Sequence, residues 1–253
     1  MLFTDSVYVG IDPASGRKAF TYAALDRDLN LVTLADGEME DLTAFLGAQR
    51  SAVAAVAAPS KPNLGLVRRR LESQSLTPAL HLRGADLRVA EYDLRERGIS
   101  VTGTPSRAES CASWMQSGFA LYAKLSRLGF EAYPQEGAAY QALETNPHAC
   151  FCVLLDQLPL SKPTLEGRLQ RQLALYERGV RLKDPMDFFE EITRFKLMKG
   201  NLPLDLVYAA DILDVIAAAY TAWLAAHRPE QIVHVGDPSE GQILLPGHLK
   251  EKY

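Results

Sequence analysis

Three aspartates carry the chemistry that the residue types of this chain suggest. Asp12 closes an apolar run, V-Y-V-G-I-D, and Pro13 follows it at once. A carboxylate at a strand tip lies at the rim of a sheet, and burying a charge there is costly unless it is paired or holds a metal. Asp211 and Asp214 stand three apart in Y-A-A-D-I-L-D-V-I-A-A-A-Y-T-A, Tyr208 to Ala222, so on a helix they share one face. The start of that helix favours both charges modestly. A strand-tip aspartate and such a pair can converge on one hard cation, since magnesium takes oxygen ligands and keeps several waters. Two such ions support in-line displacement at phosphorus. Capping on a solvated helix surface is the other reading of the pair.

Other reactive residue types point nowhere as definite. Cys111, Cys150 and Cys152 are an odd set without framework spacing, which suggests reduced thiols in the cytoplasm. The histidines are scattered and show no zinc spacing. Arg68, Arg69 and Arg70 read as a solvated helix face. Lys162, Arg168 and Arg171 form a second basic cluster and are the candidates for phosphate contact.

These side chains need a scaffold of ordinary size. The chain has 253 residues, 47% hydrophobic and 23% charged, with a formal net charge of -4. That is material for a sizeable core and gives no global pull toward nucleic acid. No basic stretch leads into an apolar segment at the N-terminus, and no apolar run approaches the ~18 residues of a membrane span. Ser6–Asp12, Lys18–Asp26 and Asn30–Asp36 read as three strands of an antiparallel meander. Ser51–Pro59 is small and apolar throughout, suiting a strand buried on both faces and parallel to its neighbour, with a helix as the competing reading. Helices are expected over Asp41–Arg50, Leu64–Ser73, Asp86–Arg97, Ala108–Leu128, Glu136–Glu144, Thr164–Gly179, Pro185–Met198 and Leu204–His227. Short strands are expected at Phe130–Pro134 and on both sides of G-D-P-S-E-G near the C-terminus. The order describes an α/β layered domain with a mixed sheet.

G-I-D-P at Gly10–Pro13, two further strands, and D-I-L-D-V-I-A-A-A-Y-T-A near the C-terminus resemble the RuvC-like branch of the RNase H-like superfamily. R-V-A-E-Y-D-L-R-E-R-G-I (Arg88–Ile99), L-Y-A-K-L-S-R-L-G-F-E-A-Y-P (Leu121–Pro134) and G-D-P-S-E-G-Q-I-L-L-P (Gly236–Pro246) resemble, in the same order, a family of predicted nucleases of RNase H-like fold, the domain of unknown function 429. The resemblance implies one domain over 1–253, with a helical insertion around 78–128 and a helical region at 136–200. It implies a five-stranded mixed sheet in order 3-2-1-4-5, strand 2 antiparallel, flanked by helices. It implies a metal-dependent nuclease or phosphodiester hydrolase using Mg²⁺ or Mn²⁺ on Asp12, Asp211 and Asp214, with DNA or RNA as partner, no membrane, and an open oligomeric state that includes a homodimer. One position departs from that pattern: the acid expected at the end of the fourth strand is Ala57. Glu131, before A-Y-P, and Glu91, in R-V-A-E, are candidate substitutes, although Glu91 also reads as an exposed acid pairing with Arg88 or Arg95. A catalytically impaired nucleic-acid or nucleotide-binding protein on the same scaffold is the first alternative, and an actin-like nucleotide hydrolase the second.

Overall fold

The computed structural model describes residues 6–13, 20–74 and 83–253. The Ser15–Arg17 turn and His81 lie outside them. The chain begins with the meander: β1 (Val7–Asp12), β2 (Phe20–Leu25) and β3 (Leu31–Gly37), each antiparallel to the next. Helix α1 (Met39–Gly47) leads into β4 (Ala52–Val56), every residue of which is buried. β4 runs parallel to β1, as a strand reached through a helical crossover should. Then come α2 (Leu66–Gln74), α3 (Val89–Glu96), α4 (Ser113–Arg127) and the short β5 (Glu131–Ala132). The second half contains β6 (Tyr140–Glu144), α5 (Pro147–Leu155), α6 (Leu165–Tyr176), α7 (Asp187–Glu191), α8 (Arg194–Met198) and α9 (Ala210–His227). The hairpin β7 (Ile232–Val235) and β8 (Ile243–Pro246) closes the fold.

Among the described residues eight strands make one mixed sheet, ordered β3-β2-β1-β4-β6-β8-β7, with β5 paired to β6. Five strands were expected. The additional ones are short pieces that extend the β6 side, β6 touching β8 through the single pair Glu144–Ile243. Residues 140–144, expected in a helix, are instead the interior strand β6, parallel to β4. The expected helix at 185–198 is broken into α7 and α8, because the Thr193 hydroxyl accepts from the Lys196 amide and starts a new helix.

Strand alternation sends side chains into two cores. Val7, Val9 and Ile11 of β1, with Ala52, Ala54 and Val56 of β4, meet Leu42 and Leu46 of α1 and Leu121 and Leu125 of α4. Tyr8 of β1, with Val53 and Ala55 of β4, faces α9 and α5 on the other side. α9 is the central helix of that second core, and thirteen of its residues from Leu213 to Ala225 are buried. Leu204–His227 is apolar and long enough to cross a membrane by length and composition, its two aspartates notwithstanding, yet 67% of that stretch is buried inside the fold.

Candidate functional site

The approach of α9 to β1 sets the position of Asp12. Tyr8, Gly10 and Asp12 alternate onto the face that α9 covers. A Cβ at Gly10 would collide with the Val215 carbonyl oxygen and the Ala219 nitrogen, so only glycine lets helix and strand come this close. Tyr8 meets the far end of the helix, its ring 4.9 Å from that of His227. Strand and helix therefore run antiparallel along one another. From Gly10 to Asp12 the strand advances ~7 Å, and from Val215 back to Asp211 the helix retreats ~6 Å in the same direction. Asp12 and the first turn of α9 thus lie at one end of one face. Asp12 also has an interaction partner of its own.

Asp211 and Asp214 are brought together by Lys162, whose Nζ lies 3.0 Å from Asp211 Oδ1 and 2.6 Å from Asp214 Oδ2. Asp211 is mostly exposed, whereas Asp214 is buried. Burial pushes the Asp214 carboxyl above its ordinary value, and Lys162 and Arg171 only partly offset that. Burial alone would lower the Lys162 ammonium, but the two carboxylates outweigh it and hold the group above its usual range.

Arg168 and Arg171 direct their guanidinium groups inward. Arg168 donates to the carbonyls of Tyr208 and Val207, just before α9. Arg171 is buried, donates to the carbonyls of Leu160 and Gly167, and stacks over Phe151. Both bind the protein's own backbone rather than projecting toward a cleft.

The substitute acids lie elsewhere. Glu131 is exposed on β5, in register with Gln141 and lining a cleft of about 390 Å³. It is three strands from β1, some ~14 Å across the sheet. Glu91 pairs with Arg88 as its spacing suggests, but it is buried rather than exposed. It also accepts from the Thr104 amide and hydroxyl.

Arg88 and Glu91 belong to a network that sequence reasoning missed. The Arg88 guanidinium reaches Glu91 Oε1 at 2.9 Å and Glu144 Oε1 at 2.5 Å, and donates to the Glu240 carbonyl. Glu144 further accepts from the amide and hydroxyl of Ser60, and the Glu240 carboxylate from the amides of Leu64 and Val89. Glu144 ends β6 on the face opposite Asp12, two strands away from it. Its signal was the acid at a strand end in A-L-E-T, hidden because that segment reads as helix.

The donor chemistry of Asp12, Asp211 and Asp214 suits a hard divalent cation. Among the described residues no three acidic, histidine or cysteine side chains have closed into a cluster, and Ala57 offers no oxygen where β4 ends beside β1. Holding an ion would require Asp12 to draw toward Asp214. The three cysteines are free and buried, and both α5 thiols sit in the core. Compared with known proteins, the chain matches one family model, described as a protein of unknown function (DUF429), over residues 10–240. No curated protein and no solved structure matches it.

Proposed function

This chain belongs to the DUF429 family of proteins of unknown function, and from its own site we propose a divalent-cation-dependent hydrolase of phosphodiester bonds, a nuclease, on a RuvC-like variant of the RNase H-like fold. The opening of the sheet supports the scaffold: a β1-β2-β3 meander with β4 parallel to β1 on the other side. The observation that carries the reading is the direction of Asp12 along α9 toward the helix turn that bears Asp211 and Asp214. Asp12 and Asp214 would hold Mg²⁺ or Mn²⁺, with Asp211 at the exposed mouth. A bound ion supplies Lewis-acid stabilisation of charge developing on phosphoryl oxygens. The chain's own groups do the rest. Lys162 keeps both helix carboxylates ionised and aimed, and Asp211 is exposed enough to orient a water molecule. Three free thiols fit a reducing compartment, the cytoplasm.

The test is cleavage of single- and double-stranded DNA and RNA by the full-length protein in Mg²⁺, Mn²⁺ or EDTA. Cation-dependent cleavage, reduced at least ~100-fold in Asp12→Asn, is the expected result for a residue of this kind. Absence of cleavage on every substrate would end the hydrolase reading. A second reading, a binding protein that has lost the chemistry, draws on Ala57 and on the ammonium already seated between Asp211 and Asp214. It expects oligonucleotide binding without cleavage, equal in the wild type and Asp12→Asn. Thermal stabilisation by nucleotides instead would point to a nucleotide hydrolase.

A further inference from the structure

Lys162 stands on the connector between α5 and α6, and the fold holds that connector in place from several sides. Arg171 donates to the carbonyl of Leu160, two residues before Lys162. The Ser161 carbonyl accepts from the Thr164 hydroxyl, which in turn caps α6 by accepting from the Gly167 amide. A Cβ at Gly167 would collide with the Ser161 carbonyl, so glycine is what lets the connector lie against the helix. Arg168 fixes the other side of the bridge through the carbonyls of Val207 and Tyr208. An ammonium seated so firmly, 2.6 Å from a buried carboxylate, is a built feature rather than a wandering surface lysine.

Resting on the hydrolase reading above, we infer that Lys162 is the site's resident cation: its ammonium fills one of two cation positions, so the site takes one divalent ion rather than two. Formal charge supports this. Asp12, Asp211 and Asp214 with Lys162 sum to -2, which one divalent ion neutralises and two would overshoot. The same change accounts for Ala57. A site that replaces its second ion with an ammonium has no use for the fourth-strand carboxylate that would have held it.

The experiment is titration of the full-length protein with Mn²⁺ alone, counting bound ions by the loss of the free-ion paramagnetic resonance signal. The wild type should bind one ion per chain, and Asp12→Asn should lose it. Lys162→Met should bind a second ion, or hold the first at least about tenfold tighter, since a positive charge a few ångströms away has gone. Lys162→Arg should behave as the wild type does. The melting temperature of Lys162→Met in EDTA should fall and be restored by Mn²⁺, a rescue that a purely structural ion pair would not show. Two ions on the wild type would overturn the inference whether or not any variant folds. One ion on the wild type, unchanged in number and affinity in Lys162→Met, would overturn it and leave the hydrolase reading standing. No ion on the wild type would overturn both.

Discussion

His148 is the second residue of α5 and shares its surroundings with the cations that manage the acidic pair. Burial lowers its pKa first, and Arg171 and Lys162 lower it further. The neighbouring helix N-terminus disfavours a positive charge there in the same sense. A histidine depressed in the folded state stays neutral there while the unfolded chain takes up a proton near pH ~6.5. Between the lowered folded value and ~6.5 the unfolded state therefore binds more protons, and stability rises with pH through that window. Cooling acidity in the other direction, from pH 7.5 to 5.5, should cost the wild type more urea resistance than it costs His148→Gln. Parallel losses in the two proteins would show that His148 does not sense the Arg171 and Lys162 charges.

The contact between β1 and α9 positions the whole candidate site, and it has a single critical side chain, the missing one at Gly10. In Gly10→Ala the new methyl meets helix backbone, which cannot swing aside as a side chain can. Overpacking of this kind costs ~1–3 kcal/mol, and the upper end is expected here, seen as a melting temperature lower by several degrees. A variant as stable as the wild type would mean that α9 is not pressed onto the strand. The apolar runs of β1 and β4 and the small residues of α9 made this pairing legible in the sequence, as were the meander and the C-terminal hairpin. β6 was not legible. Gln141, Ala142, Leu143 and Glu144 are all good helix formers, and pairing with β4 and β8 overrides that preference. Asp12, Asp211 and Asp214 could be picked out by type and spacing. The roles of Lys162, Arg168 and Arg171 could not, because each depends on which distant carboxylate or carbonyl the chain path delivers. Glu144 and Glu240 were hidden for the same reason, lying 56 and 152 residues from Arg88.

At the scale of the molecule, two cores share one sheet. β1 sends Val7, Val9 and Ile11 into one and Tyr8 into the other, and β4 divides Ala54 and Val56 from Val53 and Ala55 in the same way. Neither core can dissolve without removing strands that line its counterpart, so the two should unfold as one unit despite the length of the chain. The two tryptophans report on them separately: Trp223 is buried in the α9 core, and Trp114 packs against the core beneath α1 and α4. In Trp114→Phe the remaining fluorescence follows the first, and in Trp223→Phe the second. Corrected for any shift in overall stability measured by circular dichroism, the fluorescence and circular dichroism transitions of each variant in urea should coincide. The core thiols give an independent check, since Cys150 and Cys152 should resist a thiol reagent until that same transition. An earlier transition at Trp114 alone would mean that the α1–α4 layer detaches while β1 and α9 stay together. The candidate site would then belong to a smaller cooperative unit than the sheet as a whole.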